Sequence, residues 1–436
     1  MTSPPPTSLG GLVRHLGPGF IITATIVGSG ELIVTPKLGA SVGFSLLWFI
    51  VLGCVLKVFV QIQLARCAVA TGRTTLDALN ALPGPRWRVS WILWLWLAMY
   101  LSLIVQVSGI VGGIAGVFAE LGIAGGPRAW ALPVGVSCAL LLASGRYSVV
   151  ERGSTWMVAL FTVSAVVSVG VLQSTPYRIT ASQLWSGMQF ALPDSFTVAF
   201  AAFGVIGVGA SELIYYPYWC LEKGYARHVG TDDGTAGWAR RARGWMRVMR
   251  VDAGVSLVLY TAITIAFYLL GAAVLHARGL DVTNADMIHV LSQMFRQTFG
   301  EWTLVIFLTG AFFVLYSTYF GATAANARLA ADALVLFGVT QYRDEAARLR
   351  AVRWFSIGIS LTCALVYLVW SQPVTLVLIG ATGQALMLPF LGVAAVRFNG
   401  DIDPRLRGPW WESVGLWLSA TAMVVLGVYQ LWTLTR

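Results

Sequence analysis

Two acids stand in matching surroundings. VGSGELIVTP at residues 27–36 and VGASELIYYP at 208–217 share six of ten residues in register, at an offset of 181, and both contain a glutamate inside an apolar run. An acid at membrane depth is costly and by default functional. Glu31 and Glu212 therefore carry the first chemistry to consider. Meeting at one place, they could ligate a hard cation through oxygen, carry protons, or cap freed backbone N–H groups. Gly28 and Gly30 weaken one helix and Gly207 and Gly209 the other, while Pro36 and Pro217 each follow the glutamate by five residues. Such residues interrupt helices. In lipid the freed backbone groups are tolerated only where they face protein or a watery cavity. Ser29, Ser211 and the carbonyls near Gly28 and Gly209 then join the two carboxylates as candidate ligands, with Gln384 from another apolar run.

Further polar residues lie in apolar runs. Lys57 and Gln61 share a helix face at i, i+4, and Lys57 is a candidate charge partner for Glu31 or Glu212. Gln106 is a second candidate for ion coupling. The prolines are read as helix breakers alongside the glycines. All four histidines (His15, His228, His276, His289) fall in tails or loops, and no phosphate loop, Ser/His/Asp set or HExxH motif occurs. This excludes a membrane-buried histidine metal site, ATP-driven pumping by this chain and the common hydrolase mechanisms; an enzyme is not expected. The five cysteines are scattered without a CxxC spacing, so neither a disulfide framework nor a zinc site is indicated. No cofactor is expected.

The elements that must position these residues are membrane helices. The chain is 57% hydrophobic and 11% charged, against about 25% charged in soluble domains. Eleven apolar segments are long enough to cross a bilayer. We number them helix one to helix eleven: 17–40, 44–69, 90–120, 129–145, 153–173, 195–221, 250–275, 301–326, 353–371, 374–396 and 410–434. A Pro-rich tail at 1–16 precedes them, with no signal peptide. Placing the N-terminus in the cytoplasm assigns 22 Lys and Arg to the cytoplasmic side and six to the other. That ratio supports the expectation of a multi-pass protein of the cell membrane with its N-terminus inside and its C-terminus outside. The net charge of +10 then reflects topology and lipid contact, not nucleic acid. The longest cytoplasmic loop is 222–250. Helices one and six are five helices apart, so they cross in opposite directions. That is the arithmetic of an inverted repeat, 17–173 and 195–396, with helix eleven (410–434) outside it and a substrate site where the two matching helices break.

The sequence resembles the Nramp family of proton-coupled divalent metal transporters. GPGFIITATIVGSGELIVTPKLGASVGFSLLW at 17–48 is similar to the family's first helix and the start of its second. ATGR at 70–73, RYSVVERG at 146–153, GVIGVGASELIYYPYW at 204–219 and LMLPF at 386–390 resemble later family segments. The resemblance implies a leucine-transporter-like fold of two inverted five-helix repeats, broken in helices one and six. The family's DPGN motif aligns with Gly28, Ser29, Gly30 and Glu31, so its aspartate is a glycine and its asparagine a glutamate. The family's methionine followed by Pro-His aligns with Ser211, Glu212 and Leu213. Its helix-three acids align with Leu103 and Gln106. Loss of the soft sulfur ligand argues against tight selection of transition metals. The resulting expectation is an all-α alternating-access transporter of a divalent cation, a hard ion such as Mg²⁺ or Mn²⁺. A symporter of a small organic solute, such as an amino acid or amine, is the alternative, and a non-transporting sensor a third. The sequence says nothing of oligomeric state.

Overall fold

The computed structural model describes the chain apart from residues 1, 144–151, 153–155, 157–162, 164–166, 193–196, 301 and 435–436. Among the described residues, nine helices are long and apolar enough to span a membrane, and Gly126–Leu142 is a shorter apolar one. They correspond in order to the expected helices one to four and six to eleven. The fifth, 153–173, and the 146–153 motif lie largely outside the described residues. The protein is a multi-pass, all-α membrane protein. Among the described residues the one β feature is a short hairpin, Arg86–Trp87 with Val89–Ser90.

The burial pattern is that of a membrane protein. Leu140, Val258, Val369 and Val428 point outward and exposed, while Glu31, Lys57, Gln61, Asp252, Asn326 and Gln384 are buried. Large apolar surface faces out because lipid, not water, covers it. Buried polar groups gather where helices can satisfy them.

Helix one runs Pro18–Ile26, turns at 27–28 and resumes through a wide π turn, Gly30–Val34, into Thr35–Val42. The chain leaves helical geometry at Val27, with ψ at 82°. The Gly30 carbonyl accepts both the Thr35 N–H, which closes the wide turn, and the Thr35 hydroxyl at 2.9 Å. Helix six runs Thr197–Val205, breaks over 206–209, and resumes as Ala210–Lys223. Gly207 has φ of +58°, a conformation that glycine adopts without the Cβ penalty. The two breaks touch, for a Cβ on Gly30 would sit 3.2 Å from the Val205 carbonyl oxygen.

Two expectations need correction. The prolines are not the breaking residues. Pro36 lies in the first turn of Thr35–Val42, after the wide turn, and Pro217 lies within the unbroken Ala210–Lys223. Proline is compatible with a first turn because its missing donor would be unpaired there. Gly30 likewise opens the wide turn, not the break itself. The second correction concerns the loop 222–250, which is mostly helical. Tyr225–Val229 is a short helix, and helix seven starts at Ala236, not near 250, with Thr235 accepting from Trp238 N–H as its cap. Hydropathy sees only the apolar part of a helix; the Ala/Arg-rich stretch before it has good helix propensity and a proper N-cap. Helix eight similarly runs on to Leu336, and Met287–Phe299 forms an additional amphipathic helix between helices seven and eight.

Candidate cation-binding site

The site is assembled from four helices. Helix three (Trp91–Glu120) supplies Gln106 and helix ten (Pro373–Asp401) supplies Gln384. Gln384 stands at the break of helix six. Its Oε1 accepts from Ser211 N–H at 3.0 Å and from the Ser211 hydroxyl at 2.7 Å. Its Nε2 donates to Gln106 Oε1 at 2.9 Å, and Gln106 Nε2 donates to Ser29 Oγ at 3.3 Å. Gly380 makes room for this crossing, since a side chain there would overlap Gln106. An unbroken polar chain thus runs from the break of helix one, through helices three and ten, to the break of helix six.

The chemistry concentrates at its Ser211 end. The Ser211 hydroxyl lies 2.7 Å from Glu212 Oε2 as well as 2.7 Å from Gln384 Oε1. A hydroxyl carries one hydrogen. It cannot donate fully to both oxygens and is shared between them, while Ser211 N–H also serves Gln384 Oε1. The Gly204 carbonyl and Gly209 back onto it: a Cβ on Gly209 would meet Gln384 Oε1 and Glu212 Oε2 at 2.5 Å each and Gly204 O at 2.9 Å. Such an oxygen-rich corner suits a hard cation. The N-terminus of Ala210–Lys223 starts beside it, and its partial positive charge favours the Glu212 carboxylate of its first turn.

Glu31 is fully buried in a neighbouring position. Its Oε1 accepts from Thr264 Oγ1 of helix seven at 3.0 Å, and its Oε2 from Gly28 N–H at 3.4 Å. The hydrogen bonds therefore join Ser29, Gln106, Gln384, Ser211 and Glu212 into one network and tie Glu31 instead to helix seven. Lys57 does not form the expected ion pair. Its Nζ donates to Phe203 O at 2.7 Å and to the Ile206 carbonyl, at the broken end of helix six. Those freed carbonyls out-compete a carboxylate because they lie within its reach and have no helical partner. Gln61 is buried with both its amide oxygen and nitrogen unpartnered among the described residues. Among the described residues, no three His, Cys, Asp or Glu side chains gather as a metal cluster. The oxygens of this corner come mostly from neutral groups.

Sequence reading missed Asp252. It sits on helix seven (Ala236–Leu270, then a wide turn) and accepts from Gly17 N–H at 3.0 Å, Gly19 N–H at 2.6 Å and the Tyr216 hydroxyl at 2.9 Å. One carboxylate therefore caps the start of helix one and ties it to the second half of helix six. The available signal was a single acid just inside the apolar run of helix seven. Thr264 was missed as well, being one hydroxyl among several.

Comparison with known proteins follows from this geometry. The divalent metal cation transporter MntH of Bacillus subtilis is 23% identical over 423 residues, covering 96% of this chain and 92% of that protein. MntH of Mycobacterium tuberculosis is 24% identical over 429 residues, covering 95% and 90%. A variant of the manganese transporter of Eremococcus coleocola superposes with a TM-score of 0.71 at 14% identity, covering 99% of this chain and 88% of that one. MhsT in complex with L-phenylalanine superposes at 0.55 with 14% identity, covering 94% and 97%. These structures show a shared fold, the leucine-transporter-like arrangement. Residues 19–433 match the family described as natural resistance-associated macrophage protein-like. With nearly the whole chain matched, this membrane protein, a transporter and not an enzyme, belongs to the Nramp family.

Proposed function

We propose that the protein moves a divalent metal cation across the membrane by alternating access, binding it at the corner of Ser211, Glu212 and Gln384, with Glu31 completing the site from helix one. The observation that carries this reading is the convergence of the Ser211 hydroxyl, Glu212 Oε2 and Gln384 Oε1 at the break of helix six, the hydroxyl 2.7 Å from each of the other two, a set of oxygens that a cation can take. The relatives named as divalent metal cation transporters support a metal over an organic solute or a sensing role. The donor set is carboxylate, hydroxyl, amide and carbonyl oxygen, with Ser211 where the family has a thioether. This favours a hard ion, Mg²⁺ or Mn²⁺, retaining part of its water shell. Ser29 and Gln106 hold the amide of Gln384 in register, and the carbonyls near Gly28 and Gly209 are further ligands. Segments 17–173 and 195–396 act as the two inverted repeats, with 410–434 outside them. The 22 to 6 distribution of Lys and Arg supports a cytoplasmic N-terminus and an external C-terminus.

The test is uptake of Mg²⁺ or Mn²⁺ into liposomes containing the purified protein. Glu212→Gln and Gln384→Leu are expected to abolish uptake while the protein stays folded. Uptake that survives both changes, or wild-type protein that transports an amino acid and no metal, overturns the reading.

A further inference from the structure

We infer that Lys57 is a tethered cation: its ammonium occupies the carbonyl-lined end of broken helix six and sets the charge, and hence the ion affinity, of the transport site. The inference rests on the function proposed above.

The first half of helix six ends with carbonyls that no helical N–H can reach. Ile206 N–H closes onto Ala202 O at 2.7 Å, and the chain then turns away. The negative end of a helix dipole and a set of free oxygens are left together. In transporters with broken helices, such ends hold small coupling cations. Here Lys57, on helix two (Leu47–Thr71), takes that place. Its Nζ donates to the Phe203 and Ile206 carbonyls and lies 4.8 Å from the Phe203 ring centroid, a cation–π contact. The side chain is wholly buried.

The matching end in helix one shows that a charge is not needed for capping. There the Ala24 and Val27 carbonyls lie against hydroxyls: the single Thr318 hydroxyl hydrogen is shared between them, at 3.0 and 3.3 Å, and Ser317 Oγ lies 3.3 Å from Ala24 O. Neutral dipoles suffice at one break, while the other uses a full positive charge. A buried ammonium is costly unless its field is used. Lys57 holds the carbonyl side of the break of helix six, and Glu212 stands in the first turn on its other side, so the ammonium's charge acts across the break on the site. With Lys57, Glu31 and Glu212 all ionised, the site carries one net negative charge, and without Lys57 it carries two. Lys57 therefore weakens the hold on a divalent ion enough for release and keeps monovalent ions off the helix-six carbonyls.

The experiment measures Mg²⁺ and Mn²⁺ affinity of purified protein by calorimetry, together with stabilisation by Na⁺, for wild type, Lys57→Gln, Lys57→Met and Lys57→Arg. Gln retains a donor for the carbonyls, and Met matches the stem of lysine, so the two neutral variants fail to fold for different reasons if they fail at all. Either neutral variant is expected to bind divalent ions about tenfold to a hundredfold more tightly, as loss of a nearby like charge requires, to turn over more slowly, and to be stabilised by Na⁺. Lys57→Arg is expected to stay near wild type. Neutral variants with wild-type affinity and no Na⁺ response, altered in melting temperature alone, overturn the inference and leave the proposed site standing. Wild-type protein that binds neither metal overturns the proposed site itself. If neither neutral variant folds, wild-type affinity in Lys57→Arg with strong Na⁺ stabilisation of the wild type also overturns the inference, since the carbonyl end would then be open.

Discussion

Asp252→Ala offers a sharp test of how helix one is held. The carboxylate receives three donors: Gly17 N–H, Gly19 N–H and the Tyr216 hydroxyl. Tyr216 has a second acceptor, Met249 O at 3.0 Å, so its hydroxyl is not orphaned by the change. The two backbone N–H groups are, because both glycines are buried. A hydrogen bond to a charged group contributes about 1.5–3 kcal/mol, and a lost helix cap costs about 0.5–2 kcal/mol. Two charged bonds give about 3–6 kcal/mol for Asp252→Ala, the Tyr216 hydroxyl keeping its bond to Met249 O. Asp252→Asn keeps one acceptor and turns an N–H₂ toward the other donor, so about half that loss is expected. Tyr216→Phe removes one donor of three and should cost about 1 kcal/mol. Thermal unfolding of detergent-solubilised protein at one fixed scan rate reads the series, the wild type melting highest and Asp252→Ala lowest. A double variant should cost less than the sum of its parts, since Tyr216→Phe has no carboxylate left to lose. The same loosening should lower uptake in liposomes, because the half-helix Pro18–Ile26 is no longer anchored to helix seven. An Asp252→Ala protein within about 0.5 kcal/mol of wild type, the ordinary range for surface changes, would refute the reasoning.

Other outcomes follow from the same geometry. Ser211→Ala removes the shared hydroxyl and should weaken Mg²⁺ or Mn²⁺ binding about tenfold, as expected for one lost oxygen ligand with its hydrogen bonds, read by calorimetry. Glu412 on helix eleven receives both Arg66 of helix two and Arg250 of helix seven, the latter at 3.0 Å; Glu412→Gln leaves Arg66 buried with Gln63 but without a carboxylate to balance its charge and should lower stability by about 3–5 kcal/mol, seen as a fall in melting temperature. The N-terminal tail is docked through Ser3, whose hydroxyl is 2.8 Å from His228 Nδ1, and His228 stacks on Trp245. Burial, then His15 and Arg227, hold the His228 imidazole below its ordinary range. With the tail docked, His228 therefore binds the proton less well than it does with the tail released. Docking is complete above the usual histidine range and is lost as pH falls through it, so trypsin cleavage after Arg14 should accelerate on going from pH 8 to about pH 5.5. Equal cleavage rates at both values would count against a docked tail.

Much of the architecture was legible because it is written in local terms. Apolar length gave the spans in order, and helix eleven falls at 410–434 in the structure as in the sequence. The paired decapeptides located the interruptions of helices one and six, because glycine acts within its own turn. What hydropathy could not give was the water-exposed part of a helix, so helix seven begins at Ala236, well before the apolar run.

Residue types and spacing named the side chains that had to be buried and polar, among them Glu31, Lys57, Gln106, Ser211, Glu212 and Gln384. Their partners were decided by tertiary contact alone. Lys57 was close in sequence to nothing it touches; its carbonyls come from Phe203 and Ile206, on another helix. Gln106 and Gln384 meet across 278 residues. A hydrogen bond depends on position within an ångström or so, and only the packing of helices against one another sets that position. The chain itself fixes which groups must find partners, and the packed bundle fixes which partners they find.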